Sequence, residues 1–201
     1  DQVRTRAIIK GTPSQGDRIW MFGEDRDDPS AIYMTRILAN GVPDPNFGPN
    51  NDGRRRESLP AALIPQAEAI DLDGAILQFD GKPMVFGGLR AIGVNTGAFP
   101  AFVCRLNAAG LLDTGYGIDG CRTVRSFIAN NETCRVTDAA IAPDNMLVVV
   151  GNCIARDKSE QPFIARLTSD GNLDTEFAAG AGVVTPAAPL ASISAQHFEA
   201  V

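Results

Sequence analysis

The chain has 201 residues, enough for one sizeable domain or a short run of small repeats that bury a core. Hydrophobic residues make up 44% and charged residues 21%, a globular balance that excludes a disordered or fibrous protein. The formal net charge of −6 argues against a nucleic-acid partner, because binding along a phosphate backbone requires a basic surface. No apolar run approaches the roughly 18 residues that a membrane span requires.

In chain order, the first predicted element is a strand over Val3–Ile9, and a pattern that recurs three times follows it. Each copy opens with a short apolar run that ends in a glycine, which is typical of a strand. The closing glycines are Gly23, Gly87 and Gly151, spaced 64 residues apart. In the second and third copies, Asp80-Gly81 and Asp144-Asn145 precede the run, and such dipeptides favour two-residue hairpin turns.

A second block with fixed internal spacing follows each apolar run. In every copy a glycine, an aspartate and an aromatic residue follow an arginine by five, eight and eleven positions. The members are Arg36, Gly41, Asp44 and Phe47; Arg105, Gly110, Asp113 and Tyr116; and Arg166, Gly171, Asp174 and Phe177. The arginine ends a predicted third strand, and predicted fourth strands lie near Arg54–Leu59, Cys121–Phe127 and Gly182–Thr185.

Four antiparallel strands in a repeat of this length are typical of a β-propeller blade. The sequence therefore predicts an all-β, β-propeller-like domain over residues 1–201, with three four-stranded blades of about 64 residues. The predicted blades cover about 1–66, 67–130 and 131–190, and residues 191–201 would start a further blade or supply a closing strand. Propellers typically have four to eight blades. We therefore expect a homo-oligomer, another chain that completes the ring, or a longer precursor of which this chain is a piece.

Several phrases of the chain resemble the delta-60 repeat, a bacterial repeat assigned to β-propeller-like proteins. They are DGKPMVFGG from Asp80, RLNAAGLLDTGYG from Arg105, APDNMLVVVG from Ala142 and RLTSDGNLDTEFAAGAGVVT from Arg166. The likeness covers nearly the whole chain and departs in the first repeat, where Lys10–Gly16 replaces the Asp-Gly turn. The resemblance implies a propeller fold and no particular activity.

The repeated polar and aromatic residues are predicted to be structural. Each arginine would form a fork onto the aspartate or onto a turn carbonyl and so hold its blade together. Each aromatic residue would pack between blades. The alternative is that the three copies form three equivalent binding sites.

Four cysteines occur, Cys104, Cys121, Cys134 and Cys153, without the C-x-x-C spacing of a zinc knuckle. Two disulfides would indicate an extracellular or periplasmic protein, and four buried free thiols are the alternative. With a two-residue turn at Asp144-Asn145, Cys153 would face Val136, and a small irregularity would bring Cys134 within reach. Cys104 and Cys121 flank the third turn of their repeat in the same manner. The predicted pairs are Cys104–Cys121 and Cys134–Cys153. Because the sequence starts at Asp1, we expect a processed or trimmed chain.

A binding surface is predicted on the loops whose length differs among the repeats. The separation from the closing glycine to the arginine is 13, 18 and 15 residues, and such variation concentrates on the functional face of repeat proteins. The candidate ligand-binding residues in these loops are Asp25, Asp27, Asp28, Arg90, Asn95, Arg156 and Lys158. Ordinary solvated loops are the alternative.

The sequence offers little basis for catalysis, since His197 is the only histidine. No cofactor, metal site or catalytic residue is predicted. The favoured function is a secreted or periplasmic β-propeller module that binds a protein or ligand, or a subunit of a larger assembly, without chemistry of its own. Two alternatives stay open. One is a glycan-active enzyme or enzyme subunit using two carboxylates about 5–10 Å apart. The other is a structural protein that assembles through open sheet edges.

Overall fold

A computed structural model of the protein shows a chain folded into antiparallel β-sheets. The structure describes residues 3–11, 17–25, 27–61, 69–90, 99–124, 133–154 and 159–185. The strands in these ranges are β1 Val3–Lys10, β2 Ile19–Asp25, β3 Ala31–Ile37, β4 Arg54–Ser58, β5 Ala69–Leu77, β6 Pro83–Arg90, β7 Ala101–Arg105, β8 Cys121–Val124, β9 Thr133–Ile141, β10 Leu147–Ile154, β11 Glu160–Leu167 and β12 Val183–Val184. One 3-10 turn covers Ala178–Gly180. The predicted all-β class is confirmed.

The described strands form three consecutive four-stranded groups, which we call the first, second and third meanders. The first is the sheet β1-β2-β3-β4, and the others are β5-β6-β7-β8 and β9-β10-β11-β12. A single bridge between Gly88 and Arg135 joins β6 to β9, so the second and third meanders form one eight-stranded sheet. Strand β5 also contacts both β1 and β9. The first strands of the three meanders therefore lie side by side.

Two hydrophobic cores lie between successive meanders, because alternate side chains of each strand point to opposite faces. The first core joins Trp20, Phe22, Ile32, Met34, Phe47 and Leu59 of the first meander to Ile70, Leu72, Val85, Leu89, Phe102, Cys104, Leu106 and Cys121 of the second. The second core joins Met84, Phe86, Ala101, Val103, Tyr116 and Val124 of the second meander to ten buried residues of the third. The middle meander is thus covered on both faces.

A β-bulge in the first hairpin of each meander explains the repeated closing glycines. The register shifts by one residue opposite Gly23, Gly87 and Gly151, where Arg6, Asp73 and Thr137 are the extra residues. A Cβ atom on these glycines would lie 2.4, 2.0 and 2.0 Å from carbonyl oxygens of the neighbouring strand. Only glycine permits this approach of two backbones.

The predicted two-residue turns are wrong by one residue. The Gln78 N–H donates to the Lys82 carbonyl and the Ala142 N–H to the Met146 carbonyl, so each turn encloses three residues. The last enclosed residue, Gly81 or Asn145, has a positive φ of 83° or 65°. A type I turn followed by one left-handed residue produces this geometry.

The two disulfides are the predicted pairs, Cys104–Cys121 and Cys134–Cys153. The expectation that Cys153 faces Val136 is wrong, because the longer turn and the bulge each shift the register by one residue. Cys153 instead lies directly opposite Cys134, and Cys104 directly opposite Cys121, with 4.0 Å between the Cα atoms of each pair. The bulge is the irregularity that the pairing required.

Each meander has two ends, which we call the loop end and the turn end. The loop end carries the connections β2–β3, β6–β7 and β10–β11, and the turn end carries the hairpin turns and the arginine-to-aromatic blocks. Residues 191–201, predicted to start a further blade or to supply a closing strand, lie outside the described residues. No helix in the described ranges is long and apolar enough to cross a membrane.

Candidate functional site

The repeated arginine and aspartate form an ion pair in every meander. In the first, Arg36 Nε donates to Asp44 Oδ2 over 2.9 Å, and Arg36 Nη2 donates to the Asn46 carbonyl over 3.2 Å. The other Asp44 oxygen accepts the Asn46 N–H over 2.9 Å. The equivalent pairs are Arg105–Asp113 at 2.9 Å and Arg166–Asp174. Asp44 is fully buried, so these contacts replace its hydration.

The repeated aromatic ring lies beneath the arginine of the same meander. The guanidinium carbon is 4.4 Å from the Phe47 ring centre, 4.8 Å from the Tyr116 centre and 5.1 Å from the Phe177 centre. In the first meander the Trp20 ring also lies within 5.1 Å of the Arg36 guanidinium. Each arginine therefore has a carboxylate beside it and an aromatic face against it, an arrangement of cation–π contacts.

The same residues reach from one meander into the next. Arg36 Nη1 donates to the Ala108 carbonyl over 2.6 Å, and Arg105 Nη1 donates to the Ser169 carbonyl. The Phe47 and Tyr116 rings lie against Gly110 and Gly171, where an added Cβ would come within 2.8 and 2.9 Å of ring carbons. We call this set of contacts a joint. The structural role of the repeated residues stays a prediction, which these contacts support.

A second cation holds two of the three aspartates. Arg18 Nε lies 2.8 Å from Asp44 Oδ2, and Lys82 Nζ lies 2.8 Å from Asp113 Oδ2. Burial alone would raise the pKa of Asp44 and of Asp113, but backbone N–H groups and the neighbouring cations outweigh it and hold both pKa values below the ordinary one. The third meander has Met146 at this position. The Glu176 N–H, more than Arg166, lowers the pKa of Asp174.

Sequence reasoning missed a further set of glycines behind each block. The N–H groups of Arg36, Arg105 and Arg166 donate to the carbonyls of Gly53, Gly120 and Gly182, which have φ values of 76°, 94° and 69°. These glycines follow the arginine by 17, 15 and 16 residues. The unequal spacing hides them from a search for fixed intervals.

A group of six charged residues, the inner-strand cluster, lies where β1, β5 and β9 meet near the loop end. It comprises Arg6, Glu24, Asp71, Asp73, Arg90 and Arg135. Arg6 Nε is 3.0 Å from Glu24 Oε1, Arg90 Nε is 3.0 Å from Asp71 Oδ1, and Arg135 makes a two-pronged contact with Asp73. The cluster holds three cations and three anions. Asp71 and Asp73 both lie within β5 and are ion-paired.

The cluster also ties the meanders together. The Leu72 N–H of β5 donates to Glu24 Oε1 of β2 over 2.8 Å, and Arg135 of β9 pairs with Asp73 of β5. Burial raises the pKa of Asp73 despite the opposing hydrogen bond from Arg135, whose own pKa that bond raises. Asp71 and Asp73 both contact Arg135, whose Nη1 lies 3.8 Å from Asp71 Oδ2.

The candidate ligand-binding residues fall into separate groups. Asp25 is buried and ion-paired with Arg56. It accepts the N–H of exposed Asp27 over 2.9 Å, and Asp28 Oδ1 accepts the Ser30 hydroxyl over 2.7 Å. Arg90 belongs to the inner-strand cluster. Asn95, Arg156 and Lys158 lie outside the described residues.

Sequence reasoning also missed a cleft beside β4. Its lining residues are Tyr33, Pro49, Asn50, Asp52, Arg54, Arg55 and Arg56. The three consecutive arginines could have indicated a charged surface in the sequence. The cleft becomes recognisable only in the structure, where Tyr33 of β3 pairs with Arg56 of β4. In the parts of the chain that the structure describes, no group of three or more His, Cys, Asp or Glu side chains could hold a metal ion.

Comparison with known proteins adds one match, and it falls on this repeat. Residues 142–177 match the family model described as Domain of unknown function (DUF5122) beta-propeller. The matched segment runs from the β9–β10 turn through Arg166 and Asp174 to Phe177. No curated protein matches the chain.

The fold and this match together indicate a β-propeller domain of unknown function. The match supports a β-propeller repeat family in general and does not single out the delta-60 repeat.

Proposed function

We propose that the chain forms three blades of a β-propeller of the delta-60 kind and acts as a non-catalytic, exported module that binds a protein or another ligand. One observation carries the proposal. The repeated arginines, aspartates and aromatic rings contact one another and the next meander, whereas the exposed charges Asp27 and Arg90 at the loop end belong to no repeated block. This division supports a scaffold role for the repeated residues and a binding role for the loop end.

Export is supported by the two disulfides, since such bonds persist in oxidising compartments. Both lie between neighbouring strands rather than at an exposed dithiol motif, which suits a structural role. The ring would be completed by a second copy of the chain, by another chain or by further repeats of a longer precursor, because three blades are fewer than a propeller typically has.

The proposed ligand surface is the loop end around Asp27 and Arg90. Both residues are exposed, and Arg90 is the member of the inner-strand cluster that pairs with Asp71. Asp25 and Asp28 support the β2–β3 loop from below through Arg56 and Ser30. Asn95, Arg156 and Lys158 lie outside the described residues and are proposed as part of the same surface because they follow β6 or β10 in the sequence.

A binding array tests this surface. The probes are immobilised anionic, neutral and cationic oligosaccharides and peptides, presented to the full chain with its disulfides intact. We expect at least one probe class to bind, and Asp27→Ala or Arg90→Ala to weaken that binding about tenfold, the effect of one charged hydrogen bond. Glu176→Ala, an exposed acid at the turn end, is the matched control and should bind like the wild type. Binding by no probe, or equal loss in the control, would contradict the proposal.

Asp71 and Asp73 motivate a second candidate, a carboxylate-dependent glycan-active enzyme. Burial raises the pKa of Asp73, a property of general acids, although the two-pronged contact with Arg135 favours its anionic form. The test is release of reducing ends from the array oligosaccharides by the wild type and by Asp73→Asn. Hydrolysis that the variant abolishes would replace the binding proposal, and absence of hydrolysis would count against the enzyme.

A further inference from the structure

Each internal joint has a donating side and an accepting side. The donating side supplies an arginine Nη1 and an aromatic ring, and the accepting side supplies a turn carbonyl and a glycine face. Arg36 and Phe47 dock on Ala108 and Gly110, and Arg105 and Tyr116 dock on Ser169 and Gly171. The accepting carbonyl and glycine lie three and five residues after the arginine of their own meander.

The third meander has a donating side whose next partner is missing among the described residues. Arg166 pairs with Asp174 and stacks on Phe177, but its guanidinium donates to no carbonyl of another described meander. Its side chain is 28% exposed, against 7% for Arg36 and 9% for Arg105. Phe177 is half-buried, whereas Phe47 and Tyr116 are fully buried.

The first meander has the matching accepting side. Ala39 and Gly41 occupy the positions of Ala108 and Gly110 in the Leu38–Val42 turn, which has the same hydrogen bonds as the turns of the other meanders. Gly41 is exposed, and a Cβ placed on it would meet no described atom within 4 Å. At the equivalent Gly110 and Gly171 a ring from the preceding meander already fills this space.

The sheet faces next to these two ends are apolar and incompletely covered. Ile19, Met21 and Ile37 lie on the face of the first meander that points away from its core, and all three are half-buried. Val148 and Ile164 lie on the corresponding outer face of the third meander and are also half-buried. Internal joints bury such faces against each other, as Trp20 and Phe22 are buried against Val85 and Phe102.

We propose that two copies of this chain join head to tail, with Arg166 and Phe177 of each copy docking on the Ala39–Gly41 turn of the other. The partner is a second copy because the described residues leave both halves of the joint unfilled on one chain, and each half matches the other as the internal halves do. Two such joints close a ring of six repeats, within the propeller range. The inference rests on the proposed propeller and names the contact that completes it.

Native mass spectrometry of the non-reduced full chain gives the first test. We expect a species of twice 21.3 kDa. Arg166→Ala removes the charged donor of both joints and should weaken the dimer at least about tenfold. Arg90→Ala, the same change at the loop end, is the matched control and should leave the dimer intact. A wild-type monomer, or an Arg166→Ala dimer as tight as the wild type, would overturn the proposal.

Complementation separates a head-to-tail joint from a symmetric one and from misfolding. Met21→Glu places a charge on the outer face of the first meander and should likewise weaken the dimer. Mixing Arg166→Ala with Met21→Glu leaves one intact joint, formed by Arg166 of the Met21→Glu chain and the Met21 face of the other chain. At a chain concentration at which each variant alone is monomeric, we expect a heterodimer in the mixture. A mixture that stays monomeric would overturn the head-to-tail arrangement.

A photo-crosslinker at position 177 locates the contact independently. In a mixture of isotopically light and heavy chains, Phe177→benzoylphenylalanine should form mixed adducts with the peptide that contains Gly41. Adducts elsewhere, or only within one copy, would contradict the joint. The loop-end array is read on the same preparations, so a monomer that still binds its probe would refute the joint and leave the binding module standing.

Discussion

At the scale of single residues, the buried polar side chains of the repeat differ in whether they have hydrogen-bond partners. Arg36 donates to the Asp44 carboxylate and to the Ala108 carbonyl, and glycines with positive φ permit the turns around this pair. Two residues depart from what their counterparts in the other meanders do. Tyr116 stands where the other copies have phenylalanine, and Ala178 stands where they have glycine.

Tyr116→Phe is expected to stabilise the protein by about 1 kcal/mol. The Tyr116 hydroxyl is fully buried and has no hydrogen-bond partner among the described residues, and this burial raises the pKa of its phenol. Removing the hydroxyl removes its desolvation cost. Urea unfolding of both proteins measures the difference. Phe47→Tyr is the reciprocal control and should destabilise, so a destabilising Tyr116→Phe would show that the hydroxyl has a partner.

Ala178→Gly is expected to raise the free energy of unfolding by up to about 1 kcal/mol. Ala178 has a φ of 57°, and the equivalent Gly48 and Gly117 have φ values of 87° and 58°. Glycine adopts this left-handed conformation without the Cβ clash that strains alanine. Thermal unfolding followed by circular dichroism checks the sign. Gly117→Ala is the opposing control, since its Cβ would lie 2.1 Å from the Cys121 carbonyl oxygen.

At the scale of the elements, hairpin register decides which residues meet. Three-residue turns and a bulge opposite each closing glycine shift the pairing, which places Cys134 opposite Cys153 and Asp73 beside Arg135. Both consequences follow from backbone geometry rather than from side-chain preference.

Replacing Cys134 and Cys153 together by serine should cost about 3 kcal/mol, because the disulfide restricts a short loop of the unfolded chain. The separation of the two cysteines is 19 residues, close to the 17 of Cys104 and Cys121, so the second double variant should lose a similar amount. Denaturant midpoints of the two variants and the wild type make the comparison. A loss confined to one pair would mean that the other bond does not form.

The sequence predicts much of the scaffold and little of the candidate site. The arginine-to-aromatic spacing identifies the repeated block, because each repeat keeps identical intervals within it. The disulfide pairs were predicted correctly, but the predicted strand register was wrong. The sequence does not reveal the turn length or the bulge that set the register. The inner-strand cluster was missed because Arg6, Asp73 and Thr137 share a bulge position without sharing chemistry. Only the adjacency of β1, β5 and β9 brings its charges together.

At the scale of the whole molecule, neighbouring meanders share the buried cores. Each of the two cores belongs to a pair of meanders, and each joint crosses the same boundary. Such an architecture behaves as a row of units coupled to their nearest neighbours. Damage to one boundary should therefore loosen the meanders on either side more than the remainder.

Acid should weaken this coupling. The pKa values of Asp44, Asp113 and Asp174 lie below the ordinary value, so their stabilising effect is complete above about pH 4 and is lost as the pH falls below it. Asp73 acts in the opposite sense, because its pKa is raised.

Asp44→Asn isolates the contribution of one joint. The variant should lose about 2 kcal/mol at neutral pH, the size of a charged hydrogen bond, and its deficit relative to the wild type should shrink as the pH falls below about 4. Urea unfolding at a series of pH values measures the deficit. A deficit that stays constant with pH would show that the Asp44 charge makes no contribution to folding.

The two internal joints are built in the same way, and this has a consequence for how such chains can evolve. A gene that duplicated or lost one whole repeat would encode a chain whose first meander still offers a Gly41-like turn and whose last still offers an arginine and a ring. Its two ends would fit each other as before, whatever the number of repeats between them. A single duplication or deletion can therefore change the number of repeats without requiring a new contact surface.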